Sequence, residues 1–159
     1  MSLRLAILGS TGSIGRSTLD VVDAHPDKLS VVALAAGRNA ALLRAQTERY
    51  HPTLVSLNDA GGSDWRADGV ERFFGAAGLQ AAAMHPDADI VVVATAGHAS
   101  IEPTLAALRA GKNVALANKE AIVCAGELVM AAVQRVGQLR PVDSEHSAIW
   151  QCLETARPG

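Results

Sequence analysis

The run Leu5-Ala6-Ile7-Leu8-Gly9-Ser10-Thr11-Gly12-Ser13-Ile14-Gly15 constrains this chain more than any other stretch. An apolar, strand-like segment enters three glycines spaced G-x-x-G-x-x-G, and a helical pattern follows. Each glycine has a mechanical reason: Gly9 allows a sharp turn, Gly12 lets a pyrophosphate approach the backbone, and Gly15 lets the helix pack closely on the strand. Amide N–H groups at the helix start would then face an anion, aided by the helix dipole. A plainer reading makes Ser13 an N-cap and Gly12 a turn residue. With a strand before it, a helix after it and a second strand beyond, the pattern points to nucleotide binding.

The rest of the chain repeats that alternation. Short β-branched runs at residues 3–8, 30–35, 53–57, 90–94, 113–116 and 138–142 read as strands. Most are apolar throughout, as parallel strands covered on both faces should be. Helical patterns lie between them. Residues 13–24 place Ile14, Thr18, Val21 and Val22 on one face; residues 99–110 align Ile101, Leu105 and Leu108, with Gly111 as a stop. Residues 120–136 align Ala121, Ala125, Leu128, Ala132 and Val136, with Gly126 weakening the middle. Three His-Pro pairs, at His25, His51 and His85, fall where helices should end, and punctuation is the role expected of them. Residues 58–69, rich in Gly and Asp, read as a surface loop. The fold expected for residues 1–159 is an α/β, doubly wound, Rossmann-type domain: a mainly parallel sheet of six to seven strands with helices on both faces. The turn signal Arg157-Pro158-Gly159 after a helix reads as a domain edge.

Composition narrows the function classes. Aromatic residues make up 3% of the 159 positions and the net charge is −2 without a basic run, which disfavours nucleic acid. The longest apolar stretch, residues 90–96, is too short to span a bilayer, and the N-terminus shows no signal-peptide pattern, so no membrane association and a cytoplasmic location are expected. Cys124 and Cys152 have no metal or redox spacing and are expected as buried, reduced thiols.

Three further groups carry chemistry. The second strand ends in Gly37-Arg38-Asn39, where an NAD-preferring domain would present an acid. Arg38 is placed to hold a 2′-phosphate and favours NADP(H) over a merely solvated arginine. After the fifth strand come Asn118, Lys119 and Glu120. Capping accounts for Asn118 and Glu120 but not for Lys119, which makes sense if an anion lies opposite it. The sixth strand closes on Asp143-Ser144-Glu145-His146. In extended chain Asp143 and Glu145 share one side and would repel unless something positive sat between them; Mg²⁺ or Mn²⁺ suits such oxygens. Alternatively Ser144 is an N-cap with Glu145 in its first turn, and His146 aids substrate binding or only caps.

Together the glycine turn, Ala36-Gly37-Arg38-Asn39, Ala117-Asn118-Lys119-Glu120 and Pro141-Val142-Asp143-Ser144-Glu145-His146 resemble the NADPH-binding N-terminal part of the 1-deoxy-D-xylulose 5-phosphate reductoisomerase family. The resemblance implies that Thr11, Gly12, Ser13 and Ile14 cradle the NADPH phosphates. It implies that Gly37, Arg38 and Asn39 hold the adenosine end, and that Asn118 and Glu120 reach the nicotinamide side. Lys119, Ser144 and Glu145 would contact a sugar phosphate substrate, with Lys119 and Glu145 as candidate catalytic residues and Asp143 and Glu145 as ligands to Mg²⁺ or Mn²⁺. The family converts 1-deoxy-D-xylulose 5-phosphate to 2-C-methyl-D-erythritol 4-phosphate in isoprenoid precursor synthesis, as a homodimer at full length. Its third metal carboxylate, phosphate-binding residues, lid and C-terminal domain would lie beyond Gly159. Two other readings stand beside this one. The first is a non-catalytic NADP-binding module, which needs no acid pair. The second is another NADP-linked dehydrogenase domain, such as a semialdehyde type, which would need an activated cysteine.

Overall fold

The computed structural model describes residues 2–59 and 67–155. Seven strands form one sheet in the order β4-β3-β2-β1-β5-β6-β7, every neighbouring pair parallel. They are β1 (Leu3–Leu8), β2 (Leu29–Ala36), β3 (Leu54–Leu57), β4 (Glu71–Phe74), β5 (Ile90–Val93), β6 (Asn113–Leu116) and β7 (Leu139–Pro141). The helices are α1 (Ser13–Ala24), α2 (Ala40–Tyr50), α3 (Gly75–Ala83), α4 (Ile101–Arg109), α5 (Lys119–Ala132) and α6 (Ser144–Thr155), with a 3-10 turn at His98–Ser100 leading into α4. The doubly wound architecture expected from the alternation is the one observed.

The strand sequences explain why both faces are covered. In β1, Leu5 and Ile7 pack on one side with Leu19 and Val22 of α1 and Leu43 of α2. Their neighbours Ala6 and Leu8 face the other way, into a core shared with α3, α4 and α5. Period-two alternation thus divides an all-apolar run between two cores. The second core is rich in alanine, including Ala82, Ala83, Ala107, Ala121 and Ala125, which supplies apolar surface without bulk where three helices lie on the sheet.

Several local expectations need correction. Helix α1 buries Gly15, Leu19 and Val22, whereas Ile14 and Val21 are exposed. In α5, which ends at Ala132 and does not reach Val136, the buried stripe is Ala121, Ala125, Val129 and Ala132; Leu128 faces outward, and Val136 is exposed beyond the helix end. The weak point anticipated at Gly126 is a kink at Ala125 (φ −136°, ψ 23°). The buried residues are spaced 4, 4 and 3 and so form one continuous helical face across the kink; that face takes Val129 and leaves Leu128 at its margin. Cys124 and Cys152 are both exposed rather than buried; Cys124 lies outside the α5 stripe, and α6 contains no buried residue.

Strand β4, which none of the six apolar runs marks, lies at the sheet edge, where one flank has no strand neighbour and a polar Glu-Arg start is tolerated. The loop expected at 58–69 lies mostly outside the described residues, as does the 157–159 turn. All three His-Pro pairs follow helices. His25 and His51 cap α1 and α2, His51 in the left-handed region (φ 49°), and His85 follows the end of α3. Among the described residues no helix is long and apolar enough to cross a membrane.

Candidate cofactor and substrate cleft

The sheet order reverses beside β1: the chain leaves it on one side for β2 and returns on the other as β5. Helices diverge from such a switch point and open a crevice at the C-terminal strand ends. Here the crevice is a cleft of about 510 Å³, with Gly9, Gly12 and Ser13 on one wall and Ala94 and Thr95 on the other.

The turn after β1 has the construction its glycines require. Gly9 has φ +89°, and a Cβ there would lie 2.5 Å from the carbonyl oxygen of Ala94, the residue after β5. A Cβ on Gly15 would collide with the Gly9 carbonyl oxygen, so α1 could not approach the turn with any larger residue. The backbone of the turn is tied to β2, both Gly9 N–H and Ser10 N–H donating to Ala35 O at 2.8 and 2.9 Å.

Gly12, not Ser13, is the N-cap of α1, and no side chain caps that helix or places an acid in its first turn. Gly12 N–H turns back to Gly9 O at 3.0 Å. Thr11, Ser13 and Ile14 line the cleft at the start of this uncapped helix, where first-turn amides have no intrahelical partner, an arrangement suited to a phosphate.

At the end of β2, Gly37, Arg38 and Asn39 are exposed. Gly37 lines the cleft, and Arg38 forms no ion pair with any described residue. Asn39 Oδ1 accepts from Leu42 N–H at 3.0 Å and caps α2. One neighbour was not legible in the sequence. Asp59, after β3, donates its backbone N–H to Gly37 O at 3.3 Å and so brings an acidic residue beside this strand end.

The second cluster lies at the ends of β6 and β7. Asn118 is buried and caps α5, its Oδ1 accepting from Ala121 N–H at 2.7 Å, while its Nδ2 donates to Thr95 O (2.7 Å) and Gly97 O (3.0 Å). Every polar atom of that side chain is therefore engaged in joining the cleft wall to α5. Glu120 stands half-buried in the first turn of the helix.

Asp143 and Glu145 converge, but not as neighbours on an extended strand. Helix α6 begins at Ser144, and Asp143 precedes it as the cap, accepting from His146 N–H at 3.5 Å and meeting the His146 ring Nδ1 at 2.8 Å. Ser144 is consequently the first helical residue, and its Oγ donates to Glu145 Oε2 at 2.9 Å. Lys119 Nζ lies between the carboxylates, 3.3 Å from Asp143 Oδ2 and 3.6 Å from Glu145 Oε2.

Two separate expectations meet at this point: the anion opposite Lys119 and the positive charge between the acids are each other. Partial withdrawal from water opposes ionisation of Asp143, but its bonds to His146, Glu145 and Lys119 prevail and hold its carboxyl at about 2. Hydrogen bonding to Asp143, with the charges of both acids, raises the Lys119 ammonium above its usual range.

These oxygens fit a hard divalent cation in kind, and an ammonium already stands in the position of a positive charge. They do not complete a coordination shell: among the described residues no group of three or more His, Cys, Asp or Glu could hold an ion. Lys119, Asp143 and His146 also form the polar corner of a larger cavity, about 590 Å³, between α5, β7 and α6.

A parallel doubly wound sheet with a glycine turn at its switch point is a fold of the Rossmann type. A family model for 1-deoxy-D-xylulose 5-phosphate reductoisomerase matches residues 5–126, and the chain belongs to this oxidoreductase family. It is 49% identical to the reductoisomerase of Symbiobacterium thermophilum over 172 residues, covering 100% of this chain and 44% of that one. It is 52% identical to that of Geotalea uraniireducens over 160 residues, covering 97% and 42%. Among solved structures, a DOX-P reductoisomerase in complex with magnesium superposes with a TM-score of 0.85 at 37% identity, over 96% of this chain and 40% of that one. The Zymomonas mobilis reductoisomerase in complex with NADPH gives 0.85 at 42% identity, over 96% and 41%. The chain spans less than half the length of the relatives it matches.

Proposed function

We propose that this chain is the cofactor-binding part of an enzyme that isomerises and reduces 1-deoxy-D-xylulose 5-phosphate to 2-C-methyl-D-erythritol 4-phosphate. The observation carrying this reading is the placement of an uncapped glycine turn and an acid pair along one edge of a sheet whose sequence belongs to the reductoisomerase family. The named relatives support the cofactors, one being in complex with NADPH and another with magnesium.

The amides of Thr11, Ser13 and Ile14 hold the pyrophosphate, and Gly12 keeps the wall low enough for it to approach. Gly37 and Asn39 border the adenosine, and Arg38 meets the 2′-phosphate with its guanidinium. Asn118 fixes the nicotinamide-side wall through Thr95 and Gly97, next to Glu120. Asp143 and Glu145 hold the divalent cation, and Lys119, half-exposed and free to swing aside, moves to a substrate oxygen alongside Ser144 and Glu145. His146 keeps the Asp143 carboxylate oriented. When bound, the cation supplies Lewis-acid polarisation of a carbonyl and NADPH supplies hydride. The shell and the substrate site are completed by groups outside the described residues, in a homodimeric enzyme.

Titration of the chain with NADPH and NADH, followed by coenzyme fluorescence, tests the reading. NADPH is expected to bind at least about tenfold more tightly, the scale of one charge-assisted contact. Equal affinity for the two would remove the 2′-phosphate assignment, and binding of neither would remove the cofactor role.

A further inference from the structure

Gln46 belongs to α2, outside every motif that marked the cleft, yet its buried side chain reaches the glycine turn. Its Nε2 donates to Ser10 O at 2.9 Å, and its Oε1 accepts from Ser10 Oγ at 2.8 Å. Ser10 is itself fully buried. The primary amide thus clasps one residue of the turn twice, once through its hydroxyl and once through its backbone carbonyl.

The carbonyl contact bears on the cleft. Ser10 C=O and Thr11 N–H belong to one peptide plane, and in a trans peptide they point in opposite directions. Fixing the carbonyl towards Gln46 therefore fixes the Thr11 N–H away from α2, and Thr11 lines the cleft. The other turn peptides are anchored by backbone partners: Gly9 N–H and Ser10 N–H by Ala35 O, and Gly9 O by Gly12 N–H. The Ser10–Thr11 peptide has only the Gln46 side chain to set its rotation among the described residues.

We propose that Gln46 is a positioning residue for the dinucleotide site: it touches no cofactor, but it orients the Ser10–Thr11 peptide so that the Thr11 amide is presented to the cofactor phosphates. This inference rests on the cofactor reading given above and extends it to a residue of α2.

Three variants separate orientation from packing: Gln46→Met, Gln46→Glu and Ser10→Ala, each titrated calorimetrically with NADP⁺ alongside the parent chain, with thermal midpoints measured on the same samples. Gln46→Met keeps the volume, frees the Ser10 carbonyl, and is expected to weaken NADP⁺ binding by about tenfold, the scale of orphaning one buried partner. Ser10→Ala removes the hydroxyl but leaves the carbonyl clasped, and is expected to weaken binding less than Gln46→Met does.

Gln46→Glu provides a readout that packing would not move. A buried carboxyl ionises late, so at about pH 5.5 it is neutral and can donate to the Ser10 carbonyl, whereas at about pH 9 it is an anion facing that oxygen. The groove beside Gln46 also contains Arg16, Asp20, Asp23, Arg49 and Tyr50; all are common to parent and variant, and the ratio between the two at each pH removes their contribution. The Gln46→Glu affinity is expected to approach the parent's at the acid end and to fall about tenfold below it at the alkaline end.

Binding within twofold of the parent by Gln46→Met, a flat Gln46→Glu ratio across pH, or losses that merely track the thermal midpoints would each overturn the inference while leaving the cofactor reading intact. A parent chain that binds no NADP⁺ would overturn both.

Discussion

Asn118 donates through Nδ2 to the carbonyl oxygen of Thr95 at 2.7 Å, which joins the wall of the cofactor cleft to the helix that begins with Lys119. The same side chain caps that helix through Oδ1. A buried amide with all its hydrogen-bonding capacity engaged locally is costly to disturb, so the two halves of the site hold a fixed spacing. The reaction proposed above would need that spacing, because it would place hydride donor and acceptor on opposite sides of this link.

Gly15→Ala tests the close contact beneath the turn. Its added methyl would meet Gly9 O and the Ser10 backbone, neither of which can yield as a flexible side chain does. The variant is expected to lose about 1–3 kcal/mol of stability in urea unfolding, the usual cost of overpacking. NADPH affinity should fall with it. Unchanged stability would mean that α1 can move off the turn.

Arg38→Asp tests the adenosine end. A guanidinium bound to a phosphate would be replaced by a carboxylate suited to a ribose hydroxyl. NADPH affinity is expected to fall by roughly ten- to a hundredfold, with NADH affinity maintained or improved. Parallel losses for both coenzymes would show instead that Arg38 supports the β2 end as a whole.

The His85 ring is a pH-sensitive element away from the cleft. Its Nε2 meets Thr53 Oγ1 at 2.9 Å and its Nδ1 accepts from Asp87 N–H at 3.2 Å. Burial is the main reason its pKa lies below the usual histidine value; the Asp87 charge opposes this and Lys112 adds to it. The folded state therefore binds this proton less readily than the unfolded chain. The contribution to stability is intact above the unfolded value of about 6.5 and is lost as pH falls below it towards the folded value. The thermal midpoint of the parent should drop between about pH 7.5 and pH 5, and His85→Gln should flatten part of that drop. Identical profiles would place the acid sensitivity elsewhere.

What was legible in the sequence depended on whether a signal was local. The glycine turn, the Asn118 cap and the apolar strands each follow from a few adjacent residues, and the structure has them where the sequence puts them. Helix faces were less legible, because which side of α1 or α5 is buried depends on strands distant in sequence. Strand β4 carries no strand signal in its sequence, since an edge strand needs neither alternation nor an apolar run. The Lys119 bridge and the Gln46 clasp could not be seen at all: each joins residues at least 24 positions apart through side-chain tips.

Asp143 and Glu145 are proposed to take a divalent cation in the place where Lys119 stands. Mn²⁺ titration of the chain followed by electron paramagnetic resonance tests this without turnover. Asp143→Asn should weaken Mn²⁺ binding by about tenfold or more, and Lys119→Met, which removes the competing ammonium, should tighten it. Mn²⁺ affinity that is the same in the parent and in Asp143→Asn would contradict the account.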